Sequence, residues 1–185
     1  MVTGRLHTFK IHYKATHLGA DLHPNYIQEL PAVYSNQDYN HFVYYGGDAP
    51  WTNAPVTTTL FPNLPHFSPV LYVPEHWGAY ADARNQGITL YAPSRYPYAF
   101  GFASADPGPG GPTDNATNDF QLVDLLTIFP NMVFETDVYL VAGDVGEARQ
   151  TVYQLHQILS APDIPGFAGS VARLTPPSTA TVHTP

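Results

Sequence analysis

Cysteine is absent from this 185-residue chain, which removes disulfides, thiolate nucleophiles and cysteine-based zinc or iron-sulfur centres from consideration. Charge is scarce as well: Asp, Glu, Lys and Arg make up 12% of the residues, about half the usual share. Seven Lys and Arg face fifteen Asp and Glu, a net charge of -8. No basic patch can neutralise phosphates, so nucleic acid is not an expected partner. There is no run of 18 apolar residues and no polybasic amphipathic stretch, so no membrane partner is expected either. The metalloprotease, nucleophile-elbow and phosphate-loop patterns are missing. Gly108-Pro109-Gly110-Gly111 fails as a phosphate loop because its prolines remove N–H donors and no Lys follows.

Breakers and aromatics are abundant instead. Nineteen Pro and fourteen Gly, spread along the chain, divide it into short segments, and thirteen Tyr and ten Phe favour strands. This composition predicts one all-β domain over residues 1–160, in which the one convincing helical pattern lies near 144–159, followed by a Pro/Thr-rich extension at 161–185.

Phe9, Ile11, Tyr13 and Ala15 alternate with polar residues and mark a first strand. No signal-peptide pattern precedes it, so the chain reads as leaderless or as part of something longer, with a missing N-terminal partner domain one possibility. Residues 28–34 and 41–45 are the next expected strands, and the proline-rich 49–74 an ordered loop. Residues 74–82 and 88–92 form an expected hairpin around a turn at 83–87; further strands are expected at 98–103, 119–129 and 133–142, with a breaker-rich loop at 106–115. Asp144 and Glu147 have capping-box spacing, and Val145, Ala148, Val152, Leu155 and Leu159 form one apolar stripe.

The run Glu75-His76-Trp77 concentrates a carboxylate, an imidazole and an indole. Strand alternation places His76, Tyr80 and Asp82 on one face and Glu75, Trp77, Ala79 and Ala81 on the other. The first set is therefore the candidate polar face, unless a bulge breaks the alternation. Glu29 and Glu75 lie in mostly apolar contexts, where an acid needs a partner or a purpose. They are the acid/base candidates, with His76 as proton carrier or sugar ligand. A structural ion pair with Arg84, Arg95 or Arg149 is the equally weighted competing reading.

Sugar sites combine flat aromatics with amide, carboxylate and imidazole groups. Trp51 and Trp77 are the candidate stacking platforms, and Tyr45, Tyr80, Asp82 and His23 the further substrate contacts. Trp51 is favoured as exposed because 49–53 reads as a loop. Of nine histidines no pair has diagnostic ligand spacing. His17 and His23 flank a turn and can approach each other, but hydrogen-bonded loop histidines are the favoured reading, and no metal or other cofactor is expected. Asn115-Ala116-Thr117 matches a glycosylation sequon.

Four phrases together, Gln28-Glu29-Leu30-Pro31-Ala32-Val33, Tyr44-Tyr45-Gly46-Gly47-Asp48-Ala49-Pro50-Trp51-Thr52, Glu75-His76-Trp77-Gly78-Ala79 and Tyr139-Leu140-Val141-Ala142-Gly143-Asp144, resemble the β-sandwich region of large secreted bacterial proteins of carbohydrate-active type. The resemblance implies an all-β antiparallel β-sandwich, a jelly-roll or mutarotase-like supersandwich with the one C-terminal helix, acting on or binding polysaccharide outside the cell, as a glycoside hydrolase or polysaccharide lyase if catalytic. The rival expectation is a coat, fibre or surface-layer subunit that forms homo-oligomers. A metal-dependent oxidase or hydrolase using clustered histidines is the weaker third.

Overall fold

The computed structural model describes residues 7–28, 32–36, 38–60, 71–93, 98–103, 117–122 and 124–160. Glu29, Arg95, the 106–115 loop with its sequon and the 161–185 extension lie outside the described residues. The chain order is β1 (His7–Thr16), β2 (His23–Gln28), β3 (Ala32–Asn36), β4 (His41–Tyr44), β5 (Thr57–Leu60), β6 (Leu71–Tyr72), β7 (Trp77–Ala81), β8 (Gln86–Tyr91), β9 (Tyr98–Ala103), β10 (Thr117–Leu122), β11 (Asp124–Ile128), β12 (Val133–Asp144) and α1 (Val145–Ser160). Every pairing is antiparallel, in a six-stranded sheet β1-β12-β8-β7-β4-β5, a four-stranded sheet β3-β10-β9-β6 and the pair β11-β2. The expected all-β architecture with a single C-terminal helix is the observed one. Among the described residues no helix is long and apolar enough to cross a membrane.

Alternation in the sequence sets the layers. Ile11 and Tyr13 of β1 turn to the core, while Lys10, His12 and Lys14 face outward opposite Tyr139, Asp137 and Glu135 of β12. Lys10 and His12 pair with Asp137 at 2.7 and 2.8 Å, and Lys14 with Glu135 at 3.2 Å. These exposed cross-strand pairs fix register more than they add stability.

Between the two larger sheets lie Phe42, Tyr80, Leu90, Phe120, Leu122 and Val138, all buried. The Phe120 ring sits 5.3 Å from both Phe42 and Tyr80. Tyr80 donates its hydroxyl to the Asp119 carbonyl at 3.0 Å, so the polar tip of a buried ring is satisfied across the sandwich. The other face of the six-stranded sheet carries Val43, Trp77, Ala79, Ala81, Tyr91 and Tyr139, and α1 covers it with Val145, Val152, Leu155 and Leu159. Both faces of β7 are consequently buried.

Three local expectations differ. The single strand expected over 119–129 is two, β10 in the four-stranded sheet and β11 against β2. An apolar run such as Leu122-Val123-Asp124-Leu125-Leu126 carries no clear phase, so nothing in it marks a change of sheet. The stretch at 49–74 holds β5 and β6, with β-branched Thr57, Thr58 and Thr59 supplying strand propensity. Of the strand expected over 28–34, Gln28 ends β2 and Ala32, Val33 and Tyr34 open β3, while 29–31 lie outside the described residues.

The helix start follows its sequence signal. Asp144 Oδ1 accepts the Glu147 N–H at 3.1 Å, satisfying one of the first-turn donors. Asp144→Ala is expected to cost about 1 kcal/mol in urea-unfolding experiments. An unchanged midpoint would mean that packing of α1 alone holds the helix start.

Candidate functional site

Glu75 occupies the turn before β7 and is wholly buried. His76, at φ 57°, closes that turn by donating its N–H to the Val73 carbonyl at 2.8 Å. Trp51 (φ 66°) and Asn53 (φ 60°) are also in the left-handed region, which is costly outside glycine and persists only where surrounding contacts hold it. The turn at His76 takes that residue out of the strand and leaves Glu75 and Trp77 on the same side of the sheet, as alternation places them. Trp77 donates its indole N–H back to Glu75 Oε2 at 2.7 Å.

Four further donors converge on the carboxylate. Arg149 from α1 supplies a fork, Nε to Oε2 at 3.2 Å and Nη2 to Oε1 at 3.0 Å. Tyr153, one helical turn on, donates its hydroxyl to Oε1 at 2.6 Å, and the Trp51 backbone N–H reaches Oε1 at 2.9 Å. The remaining Arg149 nitrogen, Nη1, donates to the Ala54 carbonyl at 2.7 Å. The guanidinium also lies 5.4 Å from the Tyr45 ring, 5.8 Å from Trp77 and 5.2 Å from Tyr153, an aromatic enclosure. Burial opposes ionisation of Glu75, but the bonds from Arg149, Tyr153, Trp77 and Trp51 outweigh it and hold the carboxyl below its ordinary value. Tyr153 is pushed up to about 12 by burial and by its bond to Glu75.

This geometry corrects the acid/base role expected of Glu75. Five donors bond its two oxygens, its charged form is favoured and its side chain is buried, so it stands as a saturated structural carboxylate rather than a proton donor. The competing reading, an ion pair with Arg149, is the observed one. Glu75 ties helix α1 and the Trp51 loop to the sheet.

The aromatic platforms are corrected on the same ground. Trp77 and Tyr80 are fully buried and Tyr45 nearly so, and the Tyr45 hydroxyl accepts the Ala49 N–H at 3.0 Å. Trp51 is half-buried, and the His156 imidazole stacks on its indole at 3.6 Å with the planes 2° apart. Burial keeps His156 below its ordinary pKa, against a smaller opposite pull from Glu75, which suits a neutral ring stacked on an indole. Trp51 thus seals the helix against the sheet.

The proposed His76, Tyr80 and Asp82 face does not form. His76 precedes the strand, Tyr80 points between the sheets, and Asp82 is a turn carboxylate. Asp82 Oδ1 accepts the Arg84 and Gln86 N–H groups at 2.8 and 3.0 Å, while Oδ2 pairs with the Arg84 side chain at 2.8 Å. His23 lies apart, 2.6 Å from Asp21 and beside His17.

The structure adds a cleft that no motif announced. It has a volume of about 350 Å³ and lies between the start of α1 and the chain from Asn53 to Thr58. Val43, Val56 and Val145 provide its apolar wall, and Asn53, Asn85 and Gln150 its polar rim. Gln150 donates its side-chain N–H to Asn53 Oδ1 at 3.0 Å, so the Gln150 carbonyl and the Asn53 NH₂ remain for a ligand. The Asn85 side-chain NH₂ donates to Asp144 Oδ2 at 3.1 Å and its backbone carbonyl accepts the Val145 N–H at 3.0 Å, which leaves the side-chain Oδ1 for a ligand. Among the described residues that line this cleft there is no carboxylate. Gln150 was the least conspicuous of these in the sequence, because an exposed amide on a helix has no pattern of its own.

No protein-family model, no curated protein and no solved structure matches this chain.

Proposed function

We propose that this domain is a carbohydrate-binding β-sandwich that holds a polysaccharide segment in the Asn53 to Thr58 cleft, outside the cell. The observation that carries the reading is the pairing of an apolar wall with unused amide groups of Asn53, Asn85 and Gln150 in a space of about 350 Å³. A pyranose presents apolar C–H faces and hydroxyl edges, and such a lining meets both. The low-charge surface and the resemblance of the chain to carbohydrate-active sandwiches support the same class. Binding is favoured over bond cleavage, since hydrolysis needs two carboxylates across a cleft and Glu75 is committed to Arg149.

A glycan array followed by affinity electrophoresis tests this. One or more polysaccharides should retard the protein, and Gln150→Ala should weaken that retention about five- to tenfold, the value of roughly one hydrogen bond. Gln150 is exposed on α1 and alanine suits a helix, so the fold will be kept. Failure of every polysaccharide to bind, or equal retention of the variant, sinks the proposal.

A further inference from the structure

The β1-to-β2 connection brings His17, Asp21 and His23 together. One ligand atom from each lies within 4.8 Å of the others. His23 Nε2 is 2.6 Å from Asp21 Oδ2, and His17 Nε2 is 3.4 Å from Asp21 Oδ1. The three side chains are 44%, 61% and 20% exposed in the order His23, Asp21, His17, so an ion can reach them from solvent.

Two details distinguish this group from an ordinary cluster of loop residues. First, His17 Nδ1 lies 2.8 Å from the Phe129 carbonyl, which can only accept. Nδ1 must therefore carry the proton, and in the neutral ring Nε2 turns a lone pair toward a carboxylate oxygen. That tautomer leaves Nε2, 3.4 Å from Asp21 Oδ1, as the nitrogen able to take a metal ion. A metal-ligating histidine is typically oriented in this way, with its second nitrogen donating to a backbone carbonyl. His17 is further anchored by its own N–H to the Met132 carbonyl at 2.9 Å, so the ring is held by the β11-to-β12 turn rather than by the loop alone. Second, Gly19 lies directly against the group. A Cβ at this position would collide with Asp21 Oδ1 and come within 2.6 Å of His17 Nε2, so the space between the ligand atoms stays open only because residue 19 has no side chain.

From these placements we infer that His17, Asp21 and His23 form a binding site for a borderline divalent metal ion, with zinc the best match. Two imidazoles and one carboxylate are the donor set that zinc favours, and a water completes the tetrahedron. Ligand atoms on a tetrahedron of zinc bonds are about 3.3 Å apart. His17 and His23 approach different oxygens of Asp21, at 3.4 and 2.6 Å, so the exposed carboxylate needs only a small turn to set one oxygen between the two imidazoles. The ion would clamp the β1-to-β2 connection onto the β11-to-β12 turn. This site shares no residue with the glycan cleft and stands without it.

The test is calorimetric titration of the untagged full chain with zinc chloride near neutral pH, with magnesium chloride as the hard-cation control. One equivalent of zinc should bind, magnesium should not, and zinc should raise the thermal midpoint. Among the described residues the His23 ring pairs with Asp21, lies beside His17 and belongs to neither core cluster, so His23→Gln removes a ligand without disturbing the core. It should weaken zinc binding more than about 100-fold, beyond the 10- to 100-fold typical of losing a supporting partner. Gly19→Ala should weaken binding comparably, and His12→Gln, on the exposed face of β1, should leave it unchanged. Far-UV circular dichroism in chelator should be the same for all four proteins. Should a variant fail to fold, the visible spectrum of the cobalt(II)-loaded wild type decides, since tetrahedral coordination gives intense d–d bands. Absence of zinc binding by the wild type, binding by His23→Gln equal to wild type, or a weak octahedral cobalt spectrum would each overturn the inference and leave a proton-bridged cluster.

Discussion

Glu75→Gln is expected to lower the unfolding free energy by about 3–5 kcal/mol, the usual result of removing one partner from a buried ion pair. The side chains of Glu75 and Arg149 are 1% and 7% exposed, so the guanidinium left behind would be a charge without its counter-ion and without water. The amide also turns an NH₂ toward a site where Trp51, Trp77, Arg149 and Tyr153 all donate. A second substitution, Arg149→Met, should recover part of the loss, because a buried pair can often be replaced by apolar groups at little cost. Urea unfolding of the two single variants and the double variant gives the coupling directly. Single variants with wild-type midpoints would show that the cluster is not the tether described above.

The same pair makes a pH prediction with a definite sign. The folded-state pKa of Glu75 is below its ordinary value of 4.5. A carboxyl held low in the folded state contributes stability that is fully present above its unfolded value and is lost as pH falls through the folded one. Wild-type stability should therefore drop on acidification below about pH 4.5, and the drop should be shallower in Glu75→Gln.

Phe42→Ala should cost a similar amount, about 3–5 kcal/mol, through a cavity between the sheets. The ring is fully buried and lies 5.3–5.4 Å from the rings of Tyr44, Tyr80 and Phe120. It also fills the place a side chain would take at Gly78, where an added Cβ would stand 2.9 Å from Phe42 Cζ. Nothing nearby can collapse into the space without moving a strand. Phe42→Leu should keep most of the lost stability, and a midpoint for Phe42→Ala within error of the wild type would mean that the two sheets do not share this core.

The fold was largely legible because it rests on local signals. β1 and the start of α1 were readable because period-two alternation and an Asp144–Glu147 cap each arise from neighbours in sequence. The pairing of Glu75 with Arg149 was among the alternatives that chemistry alone raised, since a buried acid needs a cation. Arg149 adjoins Ala148 and is three residues before Val152, on the apolar side of the helix, which is the signal that could have selected it over Arg84.

Glu75-His76-Trp77 was misleading for a specific reason. Alternation sorted β7 correctly, Trp77 to one face and Tyr80 to the other, but both faces are covered, and the left-handed turn at His76 takes that residue out of the strand. The aromatic candidates failed because an indole or phenol has the same letter whether it meets a sugar or a helix. Only the covering of the sheet by α1 made Trp77 core and Trp51 a seal. The approach of His17 to His23 was foreseeable from the turn between them. The orienting carbonyl of Phe129 was not, since Phe129 is 112 residues from His17.

By itself the sequence determined the class of the fold, the scarcity and acidic balance of charge and the absence of thiol chemistry, because these follow from composition and from neighbours along the chain. The tertiary structure alone decided which acid would be saturated, which aromatics would be covered, and where a cleft and a cluster of metal-ligating groups would open. Those outcomes depend on a helix at 145–160 closing over a sheet whose strands come from both halves of the chain, and contacts between residues so far apart leave no pattern that spacing can record.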